Sequence, residues 1–187
     1  MLMIIFRRKN LHLFIYGGNI LKLDIIGSVA SGKSTLAREI SEKYQIPFYE
    51  KDNIVWKRTP NGDKKRNSEE RDRIFKEIIE SENWIVEGSP RKCLQESFAY
   101  SDYIILLDIN TCTRLFRVFR RWIRQRTGKE KYNSKPTLKF LYYNIKWVFE
   151  FNAERKKIIE LLSKYGTKYM IFYNSEQAMQ FIENMYS

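Results

Sequence analysis

The amino-acid sequence predicts an α/β fold of three layers, a five-stranded parallel sheet with helices on both faces, on three observations. Short apolar runs of strand length alternate with amphipathic stretches of helix length along residues 21–187. Such alternation builds βαβ units, whose crossovers leave a parallel sheet covered on both sides. The chain has 187 residues, of which 43% are apolar and 15% aromatic, enough for one core, and no repeat or linker divides it. Finally, a glycine-containing segment stands where the first strand meets the first helix, the place at which such folds turn their backbone toward a ligand.

Taken in order, LKLDIIG (21–27) reads as a buried strand and KSTLAREISEKY (33–44) as a helix with Leu36, Ile40 and Tyr44 on one face. IPFYEKD (46–52) reads as the second strand. After the polar loop TPNGDKKRN (59–67), a helix starts near Ser68, where SEER reads as a capping box, and runs through Ile74, Ile78 and Ile79. WIVEG (84–88), YIILLDI (103–109) and KYMIFY (168–173) supply the remaining strands. Between 136 and 165 runs a long helical pattern in which Leu138, Leu141, Tyr142, Ile145, Val148 and Phe149 recur at helical spacing. Those residues read as a core face; alternatively Tyr142, Tyr143 or Trp147 line an acceptor pocket or stack on bases. Asn174 and Ser175 cap a last helix.

Residues 1–20, MLMIIFRRKNLHLFIYGGNI, stand apart as an N-terminal extension. The basic cluster Arg7, Arg8, Lys9 follows the apolar stretch and no small-residue cleavage site is present, which argues against a secretory leader. Two readings stand: LHLFIY adds an edge strand, or translation starts at Leu21, since Gly17-Gly18 can be encoded by a ribosome-binding sequence and Leu21 by a TTG start. No apolar run approaches the ~20 residues that span a bilayer. The expectation is a cytoplasmic protein.

Thirty-four Lys and Arg against 22 Asp and Glu give a net charge of +12, which favours anionic partners without choosing among nucleotides, phosphorylated metabolites and nucleic acid. Cys93 and Cys112 have neither metal-ligand nor disulfide-framework spacing, and the one histidine, His12, lies upstream of every motif. Zinc sites and histidine acid–base catalysis are therefore not expected.

The segment GSVASGKST (27–35) carries the strongest signal. Gly27-x4-Gly32-Lys33-Ser34 matches the phosphate-binding loop, with the required strand before it and helix after it. Glycines let the backbone turn so that the N–H groups from Ala30 and Ser31 onward converge on phosphate oxygens, and the helix adds its positive end. Lys33 reaches the β- and γ-phosphates of ATP, the Ser34 hydroxyl ligates Mg²⁺, and Thr35 contacts the α-phosphate. A Ras-like switch is excluded by the lack of Asn-Lys-x-Asp and Asp-x-x-Gly sequences, and motor or AAA-type ATPases need a longer chain.

With these residues on the page, the chain resembles the small P-loop kinases of the adenylate and shikimate kinase type, and within them the group of DNA topology modulation proteins. The likeness covers residues 21–187. NWIVEGSPRK (83–92) is similar to the nucleotide-kinase segment of a carboxylate, Gly, a variable residue, Pro and Arg. The resemblance implies that Glu87 holds Mg²⁺ through water and that Arg91 contacts the acceptor's charged group; the usual Asp is here a Glu. It also implies that arginines after the fourth strand begin a lid near 117–136, with Arg117, Arg121 and Arg124 stacking on the base and stabilising the transferring phosphoryl group. The other reading of any one of these arginines is a solvated basic face. As a set they are less easily dismissed, because residues 114–131 hold eight basic residues against Glu130 alone. An Asp followed four residues later by Trp recurs in the topology-modulation group, which makes Asp52 the candidate for orienting the acceptor hydroxyl, beside its alternative as the N-cap of NIVWKR. Arg58 is a candidate for an acceptor anion. TGKEKYNSKP (127–136) has the composition of a mobile lid.

Two functions follow: an ATP- and Mg²⁺-dependent phosphotransferase acting on a small hydroxyl or phosphate acceptor, or a nucleotide-dependent DNA-binding regulator. The first is preferred, because no DNA-reading motif is visible and a basic helix lining a nucleotide site already accounts for much of the charge.

Overall fold

The computed structural model describes residues 21–59, 62–130 and 135–186. The N-terminal extension therefore lies outside the described residues, as does the middle of the expected lid. In chain order the elements are β1 (Lys22–Gly27), α1 (Lys33–Tyr44), β2 (Phe48–Glu50), α2 (Lys51–Val55), β3 (Trp56–Lys57), β4 (Lys64–Lys65), α3 (Ser68–Glu80) and β5 (Trp84–Gly88). They continue with α4 (Glu96–Tyr100), β6 (Tyr103–Leu107), α5 (Thr111–Arg126), α6 (Leu138–Ser163), β7 (Tyr169–Phe172) and α7 (Ser175–Tyr186).

Five strands form one parallel sheet in the order β2-β5-β1-β6-β7, and β3 with β4 makes a small antiparallel pair. Alternation along each strand divides the core. Leu23 and Ile25 of β1, Ile85 of β5, and Ile105 and Leu107 of β6 face α1 and α7, packing on Leu36, Ile40 and Ile182. Trp84 and Val86 of β5 turn to the opposite side under α2 and α3, while Ile26, Ile104 and Leu106 turn there under Phe98 and α6. Because strand side chains alternate by two, one run of apolar residues serves both layers. The chain moves to one side of β1 for β2 and β5 and to the other for β6 and β7, which opens a crevice at the carboxyl ends of the strands around β1. No described helix is long and apolar enough to cross a membrane.

Three sequence expectations are corrected. The second strand is only Phe48–Glu50, and Lys51 and Asp52 open α2, so Asp52 lies inside the helix and is not its N-cap. Helix α3 is capped by Asn67, whose side chain accepts from the Glu70 N–H at 2.8 Å, so the cap lies one residue before Ser68. On α6 the buried face is Leu141, Asn144, Val148, Phe151, Ile158 and Leu162, whereas Leu138, Tyr142 and Phe149 are exposed. This helix has apolar residues all round, so periodicity could not tell the inner stripe from the outer one. Asn67→Ala is expected to cost about 1 kcal/mol in urea unfolding, and Ser68→Ala much less; the reverse ranking would restore the Ser68 cap.

Candidate active site

The loop between β1 and α1 is shaped by close approaches. A Cβ on Gly27 would stand 2.7 Å from the Leu107 carbonyl oxygen and 2.9 Å from Ser31 Oγ, so the end of β1, where it pairs with β6 and turns into the loop, has room only for glycine. Gly32 occupies the N-cap of α1 with φ 99° and no capping side chain. The first amides of α1 thus lack a side-chain acceptor and add the positive end of the helix dipole. Ala30, Gly32, Lys33, Ser34 and Thr35 border an open cleft of about 1110 Å³ at the carboxyl end of the sheet. Gly27 and Ser31 shape the loop from beneath it.

Lys33 is buried, and its Nζ donates to the Ser28 carbonyl at 2.7 Å. Burial pulls its pKa below the ordinary lysine value; the charges of Glu87 and Asp52 oppose this, and Arg121 and Lys51 reinforce it. The lysine therefore stands within electrostatic reach of residues from three other elements, α2, β5 and α5. Ser34 Oγ donates to Glu87 Oε1 at 2.7 Å, bringing the two metal candidates together across α1 and β5. Burial raises the Glu87 pKa, while Lys33 and Ser34 hold it back. Both groups offer hard oxygen, and the bond leaves lone pairs of Ser34 Oγ free, so the pair fits Mg²⁺. The extra methylene of Glu87 spans the gap to Ser34.

On the β5–α2 side, Asp52 and Arg91 form an ion pair at 2.5 Å and both border the cleft. Arg58 also borders it, held by Asn53 at 2.9 Å and by Asp63. A Cβ on Gly88 would lie 2.7 Å from Lys51 Cβ, so glycine there lets β5 close against α2 and carry Ser89, Pro90 and Arg91 to the cleft.

The arginine arm comes from α5. Arg117 Nη1 donates to the Ser31 carbonyl at 3.1 Å, docking the arm on the phosphate loop. Arg121 donates to Asn144 Oδ1 at 3.0 Å, and its pKa is lowered chiefly by burial. Both border the cleft. Arg124 is placed differently: it pairs with Glu130 at 3.3 Å and does not border the cleft, whereas its neighbour Arg120 does.

Several bordering residues were not anticipated. Arg38 lies one helical turn beyond Ser34 on α1, a spacing that could have revealed it. Phe151 of α6 and Trp56 of β3 add aromatic wall; of the three aromatic residues the sequence offered as pocket lining, Trp147 borders the cleft, and Tyr142 and Tyr143 do not. Asp24, Lys51 and Ser97 were missed altogether. They form a fully buried cluster in which Lys51 Nζ binds both Asp24 oxygens at 2.7 and 2.8 Å and Ser97 Oγ donates to Asp24 at 2.5 Å. A charged residue inside the apolar run of β1 was the available signal.

Sheet order, crevice and loop together define a three-layer P-loop protein. Among solved structures, the chain is similar to a shikimate kinase from Bacteroides thetaiotaomicron, with 15% identity and a TM-score of 0.51 over 89% of this chain and 98% of that one. It is similar to a shikimate kinase from Acinetobacter baumannii in complex with shikimate, with 12% identity and a TM-score of 0.55 over 90% and 93% of the two chains. An uncharacterized protein from Eubacterium ventriosum matches at 14% identity and a TM-score of 0.51 over 89% and 97%. The fold is thus that of the shikimate kinases. These neighbours bear out the fold that the resemblance implied, and the narrower likeness to the topology-modulation group is not carried by them. No family model and no curated protein matches the sequence.

Proposed function

We propose that the chain is an ATP- and Mg²⁺-dependent phosphotransferase that moves the γ-phosphoryl group to a hydroxyl or phosphate oxygen of a small acceptor. The observation that supports this reading is the convergence on one cleft of the phosphate loop, the Ser34–Glu87 pair, the Arg117 and Arg121 arm and the Asp52–Arg91 pair. Loop amides and Lys33 receive the β- and γ-phosphates, Lys33 exchanging the Ser28 carbonyl for phosphate oxygen. Ser34 and Glu87 hold the cation, which supplies charge neutralisation at the phosphates when bound. Arg117 and Arg121 stabilise charge on the transferring group. Asp52, oriented by Arg91, receives the acceptor hydroxyl, and Arg58 binds an acceptor anion. Positioning and electrostatics of this kind carry most of phosphoryl transfer.

A transfer assay with ATP and Mg²⁺ against nucleoside monophosphates, nucleosides and small hydroxylated metabolites tests the reading. Transfer to one acceptor class, dependent on Mg²⁺, is expected. ATP binding without transfer to any of them sinks it, and a salt-dependent titration with labelled duplex DNA then tests the regulatory alternative.

A further inference from the structure

The back of the α5–α6 hairpin is apolar. On α5, Phe116, Phe119 and Ile123 are 64%, 44% and 54% exposed; on α6, Leu138, Tyr142 and Phe149 are 67%, 63% and 53% exposed. At about 100° per residue, the α5 stripe lies roughly 140° round the helix from Arg117 and Arg121, with the third cleft arginine, Arg120, at its edge about 65° from its centre. The α6 stripe lies about 170° from the cleft residues Phe140, Asn144, Trp147 and Phe151. The hydrogen bonds Arg114–Asn152 and Arg121–Asn144 set the register of the antiparallel pair, with Phe116 level with Phe149 and Ile123 level with Tyr142. Both stripes therefore look out on the same side, away from the cleft. Phe116, Phe119 and Ile123 step by three and four, and Leu138, Tyr142 and Phe149 by four and seven, with the half-buried Ile145 between the last two packing inward on Val118, Leu141 and Val148. That is the spacing by which helices interlock knobs into holes.

The geometry points to an isologous dimer in which the backs of two such hairpins close into a four-helix bundle. Area favours a second copy. At about 200 Å² for a large side chain, the six exposed residues offer roughly 650 Å² of apolar surface. This exceeds the ~300–600 Å² of the largest patch on an ordinary monomer, and two copies together would bury about 1,300 Å², within the ~1,200–2,000 Å² of a stable interface. Charge also bears on the choice. Basic residues flank the face, which first brings an anionic lipid surface to mind. Yet Arg124 is matched by Glu130, Lys146 by Glu150, Arg126 stacks on Trp122, and Arg120 borders the cleft. Part of the flanking charge is thus balanced within the chain, and the rest, Arg120 and Arg126 included, sits at a rim where salt screens it. The enclosed face is aromatic and uncharged, as the centre of a protein interface is.

Light scattering coupled to gel filtration, run on the full chain across the micromolar range, tests this. The expected mass is twice 22.6 kDa. The variant Phe119→Glu/Phe149→Glu buries four carboxylates in the dimer and is expected to weaken association about 100-fold or more, giving the monomer mass. Both positions are solvent-exposed in one chain, so its circular dichroism spectrum and melting temperature should stay those of a folded protein. A wild-type monomer at every concentration overturns the dimer, as does a dimer that survives both substitutions. In the monomer case, flotation with phosphatidylglycerol vesicles but not with phosphatidylcholine vesicles assigns the face to anionic lipid instead.

Discussion

Lys33→Ala is expected to slow phosphoryl transfer by about 10²–10³-fold while changing folding stability by no more than about 1 kcal/mol. The two halves of this expectation have different origins. In the proposed mechanism the ammonium meets charge that develops on the transferring group, so its loss falls on the transition state and appears in kcat. In the protein without nucleotide it is a buried cation whose pKa burial depresses. Removing it relieves that desolvation and forfeits the 2.7 Å bond to the Ser28 carbonyl, two changes of opposite sign. Steady-state transfer assays beside urea unfolding separate the halves. A variant with transfer within threefold of wild type sinks the assigned role, whereas one that loses activity and folding together makes Lys33 a structural residue.

The second large effect belongs to the buried Asp24–Lys51 pair. Lys51→Met is expected to destabilise the protein by about 3–5 kcal/mol, because it strands a carboxylate with no solvent access. Asp24→Asn/Lys51→Met is expected to recover most of the loss, since replacing both members leaves no uncompensated charge. In the wild type, burial raises the Asp24 pKa, and the Lys51 ammonium and Ser97 hydroxyl pull it back. Without Lys51 the upward effect is less opposed. A carboxyl whose folded pKa lies above its unfolded value is most stabilising below the unfolded pKa, and that stability is lost as pH rises through the folded pKa. The deficit of Lys51→Met should therefore shrink as pH falls from 7 toward the ordinary carboxylate range, while the double variant shows no such trend. A deficit independent of pH would mean that lost packing against Gly88 and Phe98, where Lys51 Nζ lies 4.9 Å from the ring centroid, dominates. Because α2 carries Asp52 and Gly88 precedes the Arg91 segment, this pair also underlies the Asp52–Arg91 side of the cleft.

Most of the layered fold was legible because its signals are local. Five apolar runs appear as the five strands of the parallel sheet, with ends differing by at most two residues, since a run of buried side chains reads the same whichever layer covers it. The phosphate loop was legible for the same reason: its glycines answer to backbone turns and close approaches within a few residues. The caps show where locality thins. Asn67 and Ser68 are both good caps, and only the position of the first helical turn chooses between them.

Pattern alone determined a parallel α/β fold, a phosphate-cradling loop and a short roster of charged residues around it: Lys33, Ser34, Asp52, Glu87, Arg91 and the arginines of α5. Tertiary structure decided which of these meet. It joined Ser34 to Glu87 and Asp52 to Arg91, docked Arg117 on the loop, and turned Arg124 toward Glu130 and Arg120 toward the cleft. It also decided the inner face of α6 and the burial of Lys51 against Asp24. The physical reason is that helical and strand periods are set by the backbone over a few residues. The phase of a helix apolar on every side, and the partner of a charge 27 residues away, are set by what packs against them.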